Sequence, residues 1–87
     1  MKEYTEFVWV ITTKEEFTDG HSMASSMVFK TLDDAVGHYK WELKHLKEDG
    51  ADLNEYTIDE GKGHYIAFGQ KSDGSTIDIS VNQKILF

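Results

Sequence analysis

The chain has no cysteine, no arginine and no proline. Without cysteine there is no disulfide framework, thiolate nucleophile, zinc finger or iron–sulfur site, so packing and hydrogen bonds must supply the folding energy. Arginine is the usual fork for phosphates and guanine edges, and nucleic-acid affinity comes largely from counterion release at a basic face. The 9 lysines are scattered from Lys2 to Lys84, and only Lys40, Lys44 and Lys47 can share a helix flank. Direct binding to nucleic acid is therefore not expected, and neither is binding to an anionic membrane surface. Long apolar runs are also missing: the longest, residues 7–11, has five residues, and the first six residues carry no basic n-region. The expectation is a chain with neither membrane span nor signal peptide, cytoplasmic by default.

What is present is 87 residues with 16 acids against 9 lysines, a formal charge of −7. That length is read as one domain with one modest core. Residues 6–17 are rich in β-branched and aromatic types, with Phe7, Trp9 and Ile11 on one side and Val8 and Val10 on the other. Apolar residues on both faces predict a central strand. A turn at Thr18-Asp19-Gly20-His21-Ser22 leads to a second strand over residues 23–30, which a hairpin pairs most simply with the first.

Thr31 is suited to cap a helix, with Asp33 and Asp34 at the positive end of its dipole. Leu32, Ala35, Val36, Tyr39, Leu43 and Leu46 then form a core-facing stripe of ordinary width, and the helix is expected over residues 32–48, stopped at Asp49-Gly50. Three short strands follow at residues 55–60, 64–71 and 75–82, joined by hairpin-length links. In the last, Ile77, Ile79 and Val81 point inward. The apolar end Ile85-Leu86-Phe87 is expected to dock on the core. The fold class is thus α+β: a single helix on an antiparallel sheet of four to five strands, order ββαβββ.

Two features could carry function. Trp41 stands about 180° from the apolar stripe, on the face that should see water, with His38 and His45 beside it and Gly37 one turn before it. Either a segment of the chain folds over Trp41 (residues 1–5, the C-terminal end or a loop), or Trp41 anchors a partner as tryptophans at interface hot spots do, or it is simply exposed. A mid-helix glycine costs about 1 kcal/mol relative to alanine, which a close approach at Gly37 could offset. His38, Glu42 and His45 have spacings seen in metal sites, but a solvated helix face explains them, and no metal or other cofactor is expected.

The second feature is acidic. Six of the sixteen acids, Glu48, Asp49, Asp52, Glu55, Asp59 and Glu60, fall within residues 48–60, where no lysine stands. Glu48 and Asp49 lie at the negative end of the helix dipole, where carboxylates cost a few tenths of a kcal/mol each. The run serves solubility or the recognition of a basic partner; the spacing does not make a calcium loop. No nucleophile elbow or phosphate loop is present, so no catalytic residue is assigned and an enzyme is not expected. The rings of Trp9, Phe29, Tyr65 and Phe68 are read as core and not as a platform for single-stranded RNA.

Short length, net negative charge, absence of cysteine, one helix against a sheet, and the strand-to-helix junction Phe29-Lys30-Thr31-Leu32-Asp33-Asp34-Ala35 together give a chain that resembles small acidic proteins of phages and mobile elements, including anti-restriction and anti-CRISPR inhibitors. The resemblance is one of kind and carries no site residue. It implies a non-enzymatic inhibitor that occupies the basic groove of a nucleic-acid-binding host protein. The expected site is a partner-binding surface of Trp41, His38, His45, Glu48, Asp49, Asp52, Glu55, Asp59 and Glu60. The alternative is a self-associating structural or accessory domain, a homodimer in which a second copy covers the two-sided strand of residues 7–11.

Overall fold

The computed structural model describes residues 6–85. Its elements in chain order are β1 (Phe7–Glu16), β2 (Ser22–Phe29), α1 (Leu32–Glu48), β3 (Asp52–Asp59), β4 (His64–Gln70) and β5 (Thr76–Ile85). All strand pairs are antiparallel and form one sheet of five strands in the order β2-β1-β5-β4-β3. The fold is therefore α+β, with five strands and not four.

Local chemistry places the helix. The hydroxyl of Thr31, at extended φ and ψ of −126° and 148°, accepts a hydrogen bond from the Asp34 amide at 3.2 Å. At the other end Gly50, with φ of +93°, donates to the Lys47 carbonyl at 3.0 Å, and Ala51 donates to Leu46 at 2.9 Å. This is the paired closure of a Schellman motif, which satisfies carbonyls that the helix end would leave free. Between these caps Ala35, Tyr39 and Leu43 are buried, and Leu32, Val36 and Leu46 are half-buried. The helix runs from the foot of β2, at one edge of the sheet, to the head of β3 at the other.

Beneath it the sheet supplies Ile11, Ala67, Ile77, Ile79 and Val81, each no more than 3% exposed. Trp9, Phe29, Leu53 and Tyr65 pack around them. Their positions follow the pleat: Ile11 lies opposite Val81 and Val81 opposite Tyr65, while Ile79 lies opposite Ala67. The long β1–β5 ladder, from Phe7↔Ile85 to Glu16↔Thr76, joins the first strand to the last. It makes β1 an interior strand, as its two apolar sides required.

Tyr39 sits at the centre of this contact, 4% exposed, its ring 5.8 Å from that of Tyr65. Burial, reinforced by the charges of Glu55 and Tyr65, pushes its phenol up to about 12. A tyrosine in an unfolded chain titrates near 10. The folded state holds the proton more tightly, so stability is intact below pH ~10 and falls as pH rises through the folded value. Tyr39→Phe is expected to remove that alkaline loss, read as the urea midpoint against pH between 9 and 12.

Three expectations need correction. Residues 52–54 belong to β3, because Leu53 pairs with Gly69 of β4, whereas Glu60 lies in the following turn. Phe68 is not core: it points to the face that α1 does not cover, 39% exposed and stacked on Tyr56 at 5.5 Å. Ile85 is 69% exposed at the end of β5 and is not docked on the core, while Leu86 and Phe87 lie outside the described residues. The uncovered face alternates apolar residues such as Val10, Ile66 and Phe68 with Thr12, Ser80 and Asp78. Beside them Val28, Tyr56 and Ile58 are each more than half exposed.

Candidate functional site

Topology brings three connections to one end of the sheet: residues 17–21 between β1 and β2, 49–51 between α1 and β3, and 71–75 between β4 and β5. Each contains the dipeptide Asp-Gly, with glycine φ angles of 92° at Gly20, 93° at Gly50 and 91° at Gly74. Only glycine takes that conformation without strain. The connections touch one another. A Cβ on Gly74 would lie 3.2 Å from Cγ2 of Thr18, and one on Gly50 would lie 3.4 Å from Cβ of Ser72.

The two hairpin turns are built alike. Phe17 donates to the His21 carbonyl and Lys71 to that of Ser75, both at 2.8 Å, while Gly20 and Gly74 donate back to Phe17 and Lys71 at 3.0 Å. Asp19 accepts from the His21 amide at 3.0 Å, and Asp73 accepts from the Ser75 amide at 2.9 Å and from its hydroxyl. These bonds favour the charged carboxylates. Asp19 is held below its ordinary value by the His21 backbone and ring, and Asp73 by the Ser75 hydroxyl and amide. Asp19, its side chain 64% exposed, also lies 2.8 Å from the His21 ring.

Around these turns stand Glu16, Glu48, Asp49 and Asp52, all exposed. With Asp19 and Asp73 they make an acidic end of six carboxylates, none of which is paired with a lysine among the described residues. Lys71, the lysine of the 71–75 turn, is taken up by Glu15 at 3.3 Å. Only Glu48, Asp49 and Asp52 of this end stand in the acidic run of the sequence. Asp19 and Asp73 come from other turns and Glu16 from the end of β1, and the repeated Asp-Gly was the signal that could have found the two aspartates.

The rest of the run goes elsewhere. Asp59 is at the far end of β3 from Asp52, about 23 Å away at roughly 3.3 Å per strand residue. Its carboxylate accepts from the Lys62 amide at 3.2 Å and shapes the turn to β4, where Gly63 donates to Glu60 at 3.1 Å. Glu55 is ion-paired with Lys47. Glu55, Asp59 and Glu60 therefore do not share a patch with the other three.

Trp41 is 55% exposed on the outer side of α1. No described segment covers it; residues 1–5, Leu86 and Phe87, proposed as covers, lie outside the described residues. His38 and His45 flank its ring at 5.6 and 4.2 Å, and His38 in turn meets Phe29 at 5.4 Å. The His38 ring nitrogen Nε2 is 3.0 Å from Glu42 Oε1, while Glu42 Oε2 is buried without a hydrogen-bond partner. Among the described residues no three His, Asp or Glu side chains are grouped to hold a metal ion. Trp41, His45 and Glu48 are spaced i, i+4, i+7, one line along the helix that ends in the acidic end. Lys40, Lys44 and Lys47 lie on the flank toward β3, beside Glu55.

No close approach offsets the cost of Gly37, since nothing lies within 4 Å of where its Cβ would be. It leaves a notch walled by Phe29, His38 and Trp41. Gly37→Ala is expected to stabilise the domain by about 1 kcal/mol, measured by urea unfolding; a loss of stability would mean that the notch has a structural use.

These elements define an α+β domain with one helix, a bare sheet face and an acidic end. Compared with known proteins, the chain matches no family model, no curated protein and no solved structure. No helix among the described residues is long and apolar enough to cross a membrane.

Proposed function

We propose that the chain is a non-enzymatic protein-binding domain that presents its acidic end, with the adjoining line of Trp41 and His45, to a basic protein partner. The observation that carries this reading is the convergence of Asp19, Asp49 and Asp73, in three Asp-Gly turns, with Glu16, Glu48 and Asp52. The three connections touch in succession across the end of the sheet, so the potentials of neighbouring carboxylates overlap at a Debye length of roughly 8 Å in physiological salt and sum to a negative field over that end. Such a field steers a basic surface and fixes its orientation, and a half-exposed tryptophan beside it supplies the apolar anchor that charge alone lacks.

A partner of matching chemistry is a nucleic-acid-binding protein, whose groove would take these carboxylates where phosphates lie. In that case the domain acts as a cytoplasmic inhibitor of the phage-encoded kind, without a cofactor and without touching nucleic acid or membrane itself. Asn keeps the turn chemistry of Asp while removing its charge, which makes a clean test. The combined variant Asp19→Asn, Asp49→Asn, Asp52→Asn, Asp73→Asn is expected to fold as the wild type does and to lose basic partners in affinity capture by roughly tenfold or more. The wild-type interaction should weaken as salt rises from low to physiological. Equal capture by both proteins would defeat the reading.

A further inference from the structure

A sheet of five strands in this order has two edges, and the chain treats them differently. The β3 edge carries Asp52, Glu55 and Asp59, and its pairing with β4 is interrupted between Thr57 and Asp59. Charges and a bulge are the usual means by which an edge is kept from pairing with another chain. On the β2 edge, Ser22–Phe29 reads Ser-Met-Ala-Ser-Ser-Met-Val-Phe: no charge, no glycine, and an unbroken register with β1 from Trp9↔Phe29 to Glu16↔Ser22. Charged residues make up 29% of the chain, yet none falls in these eight positions. Among the described residues nothing covers the strand. Met23 is 62% exposed, Met27 44% and Val28 64%.

From this contrast we infer that β2 is a self-pairing edge: two copies of the chain join β2 to β2 antiparallel about a two-fold axis at Ser26, giving one continuous sheet of ten strands with both helices on the same face. The pleat limits the register, because residues directly opposite must point to the same face, so the two-fold must pass through a residue of β2 and not between two. Centring on Ser26 sets Ser25 against Met27, Ala24 against Val28 and Met23 against Phe29. Two of these three pairs match a small side chain with a large one, and the exposed Met23, Met27 and Val28 all gain neighbours.

Charge selects a second copy over an unrelated strand. A chain of net charge −7 repels itself over most of its surface, and β2 is the uncharged one of its two edge strands. Antiparallel pairing also sends the two acidic ends in opposite directions and brings Lys30, at the foot of each β2, beside the partner copy's turn at Asp19. Residues 7–11, expected to be covered by a second copy, are interior to the sheet, so pairing through an edge falls to the neighbouring strand β2. The inference does not rest on the acidic end, whose Asp49, Asp52 and Asp73 stay free in the pair.

Sedimentation equilibrium of the full chain at tens to hundreds of micromolar should give twice the 10.0 kDa mass. Ser26→Lys, which sets two lysines against each other at the axis on an exposed position, should return the mass to one chain with an unchanged circular dichroism spectrum and a thermal midpoint that no longer depends on protein concentration. The chain has no cysteine, so a single introduced one reports the register. Ser26→Cys should form a covalent dimer under mild oxidation, since self-opposed residues lie within disulfide reach, and Ala24→Cys should do so at least tenfold more slowly. A wild-type chain that stays at one mass throughout would overturn the inference. So would a dimer that persists in Ser26→Lys or fails to cross-link through Ser26→Cys.

Discussion

Leu43→Ala is expected to lower the unfolding free energy by about 2–5 kcal/mol, against a total for a domain of this size of roughly 5–15 kcal/mol. Leu43 is 3% exposed and lies in the central part of the α1 stripe, one turn after Tyr39. Among the described residues the sheet has one helix to cover it, so no second layer can settle into the space that the lost carbons leave. The buried set is small: Ile11, Ala35, Tyr39, Leu43, Ala67, Ile77, Ile79 and Val81. Removing one of its large members should therefore fall toward the upper part of the range. Urea unfolding followed by circular dichroism measures it, and a loss below about 1 kcal/mol would mean that α1 is not the lid of the core.

The helix was the most legible element because its signals are local. Thr31, the spacing from Leu32 to Leu46, and Gly50 all act within a few residues of the bonds they determine, and the helix ends where they place it. Strand identity was legible for the same reason, from β-branched and aromatic runs and turn residues. Sheet order was not. Nothing near Phe7 or Ile85 says that these two will be register partners across the whole chain, and so nothing said that β2 would be left at an edge. The early half of β3 was missed because Asp52 and Asn54 are poor strand formers; its pairing with β4 is set by tertiary contact.

The candidate site divides along the same line. Trp41 was placed on the outer face by helical phase alone, and it is there. The acidic run was read as one patch because its members are neighbours in sequence. A strand then carries Asp59 and Glu60 away from Asp52, while two turns bring in Asp19 and Asp73. Proximity along a strand is a poor guide to proximity in space, since each residue adds roughly 3.3 Å. The shared turn chemistry of the two hairpins was the better clue. An Asp that accepts from the amide two residues on, followed by a glycine of positive φ, puts a carboxylate at the tip of every turn it builds.

Gly69→Ala is expected to cost about 3 kcal/mol or more, at or above the upper end for overpacking, and to disturb the acidic end as well. Gly69 faces Leu53 across the β3–β4 ladder. A Cβ there would stand 1.9 Å from the carbonyl oxygen of Asp52 and 2.9 Å from the Cα of Leu53. Gly69 does not have positive φ, so the demand for glycine comes from this close approach alone. The obstacle is backbone. A side chain could swing aside, but Asp52 and Leu53 can move only if the head of β3 leaves β4, which withdraws Leu53 from the core and Asp52 from its place beside Asp49. Hydrogen exchange should show the loss at the amides of residues 52–55 before it reaches β1 and β5. Asp52→Asn supplies the contrast: it removes the charge without the clash, so it should leave stability within about 0.5 kcal/mol of wild type while weakening capture of a basic partner. If Gly69→Ala is as stable as wild type, the two strands have room that the structure does not give them. If it is unstable but exchanges uniformly across the sheet, β3 unfolds with the whole domain, and the head of β3 is as firmly held as the central ladder.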